Sequence, residues 1–255
     1  MSELKALLFD VDGTLADTER DGHRVAFNQA FAEAGLDWHW DVETYGQLLK
    51  VTGGKERIRY FIDCFKPVLD PGVEWDDFIP VLHQSKTRHF VALLQSGAIP
   101  LRPGVERLLK EARECGLRLA IATTTTPQNV TTLLTATLGE ASIAWFDVIA
   151  AGDVVPAKKP APDIYIYALQ KLGLSASECI AFEDSDNGLL SSMGAGLKTI
   201  VTVNGYTRGQ SFNGALIVVD QLGEQGSGFT VLHEGADGVS KQNYVDIKYI
   251  KQIFI

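Results

Sequence analysis

Cysteine is scarce in this chain: three residues in 255, Cys64, Cys115 and Cys179, an odd number at wide spacing. That excludes a disulfide framework and a CxxC-type zinc site, and it suits a reducing compartment. Long apolar runs are missing too; none approaches the roughly 18 residues of a membrane-spanning helix. Basic charge is in deficit, with 23 Lys and Arg against 32 Asp and Glu and a net charge of −9. A nucleic-acid footprint is normally basic, so neither nucleic acid nor membrane is expected as a partner. The opening MSELKALLFDVDG has no basic flank, extended apolar stretch or cleavage site and is not expected to be a signal peptide. There is no internal repeat and no low-complexity tract.

What is present is an ordinary globular composition, 45% hydrophobic and 22% charged, which excludes wholesale disorder. Short, bounded apolar runs at 4–10, 117–123, 146–151, 179–182, 198–203 and 215–219 read as strands covered on both faces. Helical patterns fall between them. Val105, Leu108, Leu109 and Ala112 repeat at helical spacing between Pro103 and Gly116; Tyr165, Ala168, Leu169 and Leu172 do so between Pro162 and Gly173. Proline near the first turn and glycine past the last are boundary signals. The alternation predicts an α/β fold with a doubly wound, mainly parallel sheet.

Residues 19–96 break that rhythm. They show helical pairs and groups (Phe27/Phe31, Ile58/Phe61/Ile62/Phe65, Phe78/Val81/Leu82) and no convincing strand. Roughly 80 residues is far beyond a normal crossover. The spacing predicts a helical domain over 19–96, inserted into a core domain of 1–18 and 97–255, with hinges near 15–20 and 96–103. The tail 224–255 holds a Gly-rich EQGSG, then FTVLH, then an apolar-patterned end (Val245, Tyr249, Ile250, Ile253). It points to no function.

Open parallel sheets bind ligands at the carboxyl ends of their strands. Here the first strand runs into Asp10-Val-Asp12-Gly13-Thr14, the second into Thr123-Thr124-Thr125-Thr126, the third is followed by Lys158-Lys159-Pro160, and the fourth by Glu183-Asp184. Carboxylates, hydroxyls and an amine at one sheet edge suit Mg²⁺ and a phosphate. The cation prefers carboxylate oxygen, and the lysine and hydroxyls hold phosphate oxygens.

In order and spacing, DVDGTLADTE, the Thr after strand two, Lys159-Pro160 and Glu183-Asp184-Ser185 resemble the four motifs of the haloacid dehalogenase-like phosphatases. The resemblance runs from residue 4 to about 223, and 19–96 looks like that family's α-helical cap. AKKPAPDIY and FEDSDNG are similar to the sugar-phosphatase and β-phosphoglucomutase branch. TERDGHRVAFNQAF and TGGKERI resemble the CbbY-type members, which act on xylulose 1,5-bisphosphate.

The resemblance implies Asp10 as nucleophile and Asp12 as general acid and base, its backbone carbonyl also facing Mg²⁺. Asp10, Asp12, Glu183 and Asp184 would hold the metal, Glu183 directly or through water. Thr123 and the N–H of Thr124 would bind phosphate, with Lys159 offsetting the charge between Asp10 and phosphate. In the cap, Glu19, Gly53, Gly54, Lys55 and Lys86 would contact substrate. The chain is expected to leave the first strand at Asp10, with Gly13 permitting the turn. A monomer in the cytoplasm is expected, or in a plastid stroma after loss of a transit peptide.

Plainer roles stand beside these. Asp10 and Asp12 would otherwise be turn or N-cap residues, Thr126 a helix cap before Pro127, Glu183 a cap for the next helix, and Gly53-Gly54 an interhelix turn. Lys158 reads as a solvated neighbour, Arg57 and Arg88 as surface charges, His23 as structural, and Trp38, Trp40 and Trp75 as helical-domain core. Two other functions fit parts of the pattern. A sugar phosphomutase would use the same residues but return the phosphate to a second hydroxyl. A phosphoacceptor signalling domain would also place Asp, Thr and Lys at strand ends.

Overall fold

The computed structural model describes residues 3–67, 72, 74–234 and 244–254. Contacts divide the chain into two compact units, Met1–Asp17 with Pro100–Ile255, and Thr18–Ile99.

The first unit is built on a seven-stranded sheet of β1 (Ala6–Phe9), β2 (Arg118–Thr123), β3 (Phe146–Ala151), β4 (Cys179–Glu183), β5 (Lys198–Thr202), β6 (Ile217–Val219) and β7 (Val231–Glu234), in the order β3-β2-β1-β4-β5-β6-β7. All pairs are parallel except β6 with β7. The central strands are buried because helices cover both faces, which is why they read as continuous apolar runs. β1 sits in the middle, with Phe9 opposite Ile121 on one side and Phe182 on the other.

Several ends differ from the expected spans. The run 4–10 narrows to Ala6–Phe9, and 179–182 extends to Glu183, so Glu183 is a strand residue. The run 215–219 shortens to Ile217–Val219, because Ala215 is spent in a turn that returns its N–H to Phe212. FTVLH supplies the antiparallel edge strand β7.

Helices of this unit follow the expected stripes. In α5 (Val105–Glu114) Val105, Leu108, Leu109 and Ala112 are buried. α6 (Pro127–Leu138) starts with Thr126 as N-cap. α7 (Asp163–Leu172) buries Tyr165, Ala168, Leu169 and Leu172 and ends at left-handed Gly173. α8 (Asp186–Gly194) is capped by Ser185. The end of the tail forms α9 (Ile247–Ile253). It is tied to α5 by Ile247 N–H donating to Glu111 and by Arg107 donating to the Val245 carbonyl.

Among its described residues the second unit holds a π-helical turn (Glu19–His23) and four helices, α1 (Arg24–Glu33), α2 (Val42–Leu48), α3 (Gly54–Phe65) and α4 (Trp75–Gln95). No strand lies among its described residues. Its core is aromatic: Phe27, Phe31, Trp40 and Tyr45 are fully buried, and Trp38 meets Phe31 edge-on and stacks on Trp75. Two residues of the expected stripes point outward instead: Val81 is 57% exposed and Phe65 41%. In α4 the buried stripe runs through Ile79, Leu82, Lys86, Phe90 and Leu94, a phase that leaves Val81 on the far side.

Candidate active site

β1 ends at Phe9, and Asp10 continues the pairing for one more bond by donating its N–H to the Phe182 carbonyl. The chain then curls. Thr14 and Leu15 return their N–H groups to Val11, and Gly13 bonds to Ala16. Gly13 has φ +87°, and a Cβ there would lie 2.2 Å from Oδ2 of Asp184. Both facts require glycine: the backbone is left-handed, and the space belongs to a neighbouring carboxylate.

Asp10, Glu183 and Asp184 are all buried, and each offers a carboxylate oxygen within 4.8 Å of the others. Lys159 enters this cluster from the loop before α7. Its Nζ donates to Asp10 at 2.7 Å and to Glu183 at 2.6 Å. The Tyr165 hydroxyl also donates to Glu183, at 2.5 Å. Glu183 is confined from the far side, since a Cβ at Gly188 would lie 1.9 Å from its Oε2. Asp184 accepts from Asn204 Nδ2 at 2.6 Å.

Electrostatics follow from this crowding. Burial pushes the Asp10 carboxyl up to about 7; Lys159 opposes that, and the Glu183 and Asp12 charges add to it. Burial alone would lower Lys159, but Asp10 and Glu183 outweigh it and hold the ammonium well above its ordinary range. Burial, then Glu183, keeps the Tyr165 phenol protonated far above 10.0. Three buried carboxylates against one ammonium leave a negative excess, which a low-dielectric site tolerates poorly. The donors are hard oxygens at one sheet edge, so the residues fit a small divalent cation such as Mg²⁺. A dication there would hold Asp10 ionised.

Thr123, the last residue of β2, is buried, and its Oγ1 accepts from the N–H of Thr125. Thr124 is half-buried, and Thr126 caps α6. Lys158 pairs with Asp153 at 3.3 Å. Glu183 does not cap α8, a role Ser185 fills.

In the helical unit the candidate residues are spread over several elements. Glu19 accepts from the Tyr45 hydroxyl at 2.5 Å, and Arg57 donates to that hydroxyl at 2.9 Å while lying 3.8 Å from Glu19. Arg57 is 7% exposed, which corrects its reading as a surface charge: its guanidinium is needed to meet buried Tyr45 and half-buried Glu19. Arg88 is exposed and pairs with Glu33. Lys86 is buried, donates to His23 Nδ1 at 2.7 Å and faces the Phe27 and Phe90 rings. Gly53 is the N-cap of α3 with φ +101°, and Gly54 makes room for His83, 2.4 Å from where its Cβ would sit. Gly53 therefore has a conformational reason and Gly54 a packing reason within the unit. Lys55 is half-buried in the first turn of α3.

Four contributors were not anticipated. Arg102 is buried and donates to the carbonyls of Gly13, Thr202, Val203 and Asp220, buttressing the turn after Asp10. Asn204 holds Asp184, Tyr165 holds Glu183, and Gly188 leaves room for it. Tyr165 and Gly188 carried a signal, one in a helix stripe and one in FEDSDNG. Arg102 and Asn204 lie in loops, where no period marks them.

Residues 4–196 match the haloacid dehalogenase-like hydrolase family. The chain belongs to it. Protein CbbY of Cupriavidus necator, plasmid-borne, is 49% identical over 221 residues, 87% of each chain. The crystal structure of CbbY from Rhodobacter sphaeroides with phosphate is similar at TM-score 0.81 and 49% identity, covering 88% of this chain and 96% of that one. A mutant of that protein, equally similar in fold, was solved in complex with xylulose 1,5-bisphosphate. The chain is thus a CbbY-type phosphatase of this family, and the signalling-domain reading falls away. No helix among the described residues is long and apolar enough to cross a membrane.

Proposed function

We propose that this phosphatase requires Mg²⁺ and removes one phosphate from xylulose 1,5-bisphosphate, leaving xylulose 5-phosphate. The observation that carries the reading is the buried Asp10–Lys159–Glu183 network beside Asp184. Mg²⁺ held by Asp10, Asp184, Glu183 and the Asp12 carbonyl would supply positive charge against the transferring phosphoryl group.

The chain's own groups do the rest. An Asp10 oxygen attacks phosphorus, and the bond from phosphorus to the sugar oxygen breaks. Asp12 gives a proton to that leaving oxygen. Asp10 now carries the phosphoryl group as an acyl phosphate. Water attacks phosphorus, Asp12 takes the water's proton, the acyl phosphate bond breaks, and phosphate leaves with Asp10 regenerated. Lys159 holds Asp10 in position and offsets charge on the phosphoryl oxygens, which Thr123 and the Thr124 N–H also bind. We assign substrate selection to Glu19, Gly53, Gly54, Lys55 and Lys86 of the unit 18–99, and we place the working enzyme in solution as a monomer.

The test is release of free phosphate from a panel of sugar mono- and bisphosphates, with and without Mg²⁺. The reading predicts Mg²⁺-dependent release, fastest from xylulose 1,5-bisphosphate. Isomerised sugar phosphate in place of free phosphate would overturn it, as would equal rates across the panel.

A further inference from the structure

Asn204 lies just past β5, at the same sheet edge as Asp10 and Asp184, and no motif marks it. Its side chain is fixed at both ends. Oδ1 accepts the N–H of Tyr206 at 2.9 Å, so Nδ2 must face the other way, and it donates to Asp184 Oδ2 at 2.6 Å. The backbone is fixed as well: Asn204 N–H donates to Thr207 Oγ1 at 3.0 Å, and its carbonyl accepts from Arg208. An amide whose oxygen is committed to the backbone cannot flip and offer an acceptor to a carboxylate.

The packing around this bond is as tight as its geometry. A Cβ at Gly13 would lie 2.2 Å from Asp184 Oδ2 and 2.7 Å from Asn204 Nδ2. The glycine of the first motif thus keeps open the space in which the amide reaches the carboxylate of the fourth. Arg102 ties the two segments together, donating to the carbonyls of Gly13, Thr202 and Val203.

We propose that Asn204 is a positioning residue for the cation site: it locks the rotation of the Asp184 carboxylate and thereby sets Mg²⁺ affinity. The proposal rests on the reading of Asp184 as a Mg²⁺ ligand. Mg²⁺ demands near-ideal octahedral geometry, so a carboxylate free to rotate binds it less well. Outer partners of metal ligands commonly account for 10- to 100-fold in affinity.

The experiment is calorimetric titration of Mg²⁺ alone into the full-length parent, Asn204→Ala, Thr207→Ala and Asp184→Ala, followed by the Mg²⁺ dependence of phosphate release. Asn204→Ala is expected to weaken Mg²⁺ binding about 10- to 100-fold while kcat at saturating Mg²⁺ stays within about threefold of the parent, because the reacting groups are untouched. Thr207→Ala loosens the same turn without touching Asp184, and its loss should be clearly smaller. An Asn204→Ala affinity within twofold of the parent would overturn the proposal. A Thr207→Ala loss equal to that of Asn204→Ala would overturn it too, since the turn and not the amide would then matter. Failure of the underlying reading looks different: Asp184→Ala would bind Mg²⁺ as the parent does.

Discussion

Lys159 touches both Asp10 and Glu183, and the two aspartates beside that pair, Asp184 and Asp12, differ in what their removal should do. Asp184 is proposed to meet the cation with its side chain, Asp12 with its backbone. Asp184→Ala should therefore weaken Mg²⁺ binding, whereas Asp12→Ala should stall turnover by about 10²- to 10⁴-fold with Mg²⁺ binding retained. Equal loss of metal in both variants, by calorimetry, would refute that division. Arg102 acts on stability. Arg102→Met leaves the carbonyls of Gly13, Thr202, Val203 and Asp220 without their donor. It should cost at least about 3 kcal/mol in chemical denaturation, since each unsatisfied buried acceptor costs about 1–3 kcal/mol. At this scale the sequence was readable where chemistry and spacing coincided. Asp10, Lys159, Glu183 and Asp184 stood at successive strand ends, and the structure brings them into one cluster. Asn204 was not readable, since it lies in a loop where no period marks it, and neither was Arg102, whose carbonyl partners are far away in sequence. Arg57 was misread for the same reason: its partners Glu19 and Tyr45 lie 38 and 12 positions earlier, on other elements.

Elements were easiest to read where burial was symmetric. The central strands and the α5 and α7 stripes follow from period and from Pro and Gly punctuation. The edges were harder. β6 loses Ala215 to a turn, and β7 pairs antiparallel at the rim, where the apolar signal is weak. In α4 Pro80 lies inside the helix and the buried stripe runs in a phase that passes Val81 by. Two elements carry tests. Gly188→Ala puts a methyl group against Glu183. It should displace that side chain from Lys159 and Tyr165 and cost about 1–3 kcal/mol, seen as a lowered denaturation midpoint; an unchanged midpoint would mean α8 can shift freely. The turn entering β4 is a capping box of Ser175 and Glu178, with Lys5 bonded to the same carboxylate. The Lys5 hydrogen bond, then those from Ser175, hold the Glu178 carboxyl down to about 2. A depressed carboxyl stabilises the fold above its unfolded value near 4.5 and loses that contribution as pH falls toward 2. Glu178→Gln should remove that part of the acid dependence, and unfolding midpoints between pH 5 and 2.5 would show a shallower slope than the parent.

For the whole molecule, chemistry is proposed to reside in the sheet unit and selection in the helical unit. A bisphosphate carries a second dianion that the core motifs do not address, and Lys55 is the cation proposed to meet it. One charge-assisted contact to phosphate contributes about 1.5–3 kcal/mol. Lys55→Ala should then cut kcat/KM on xylulose 1,5-bisphosphate about 10- to 100-fold, with much less effect on a small ester that has no second phosphate. Equal losses on both would return Lys55 to a folding role. In the proposed mechanism Asp10 attacks the phosphorus of a bound sugar phosphate, and Asp10→Asn in the full-length enzyme tests that step most directly. The amide has the same shape and cannot act as the nucleophile. Phosphate release from xylulose 1,5-bisphosphate is expected to fall by more than about 10⁴-fold, beyond the loss of acid–base help alone, while the bisphosphate still binds. Turnover within tenfold of the parent would contradict it.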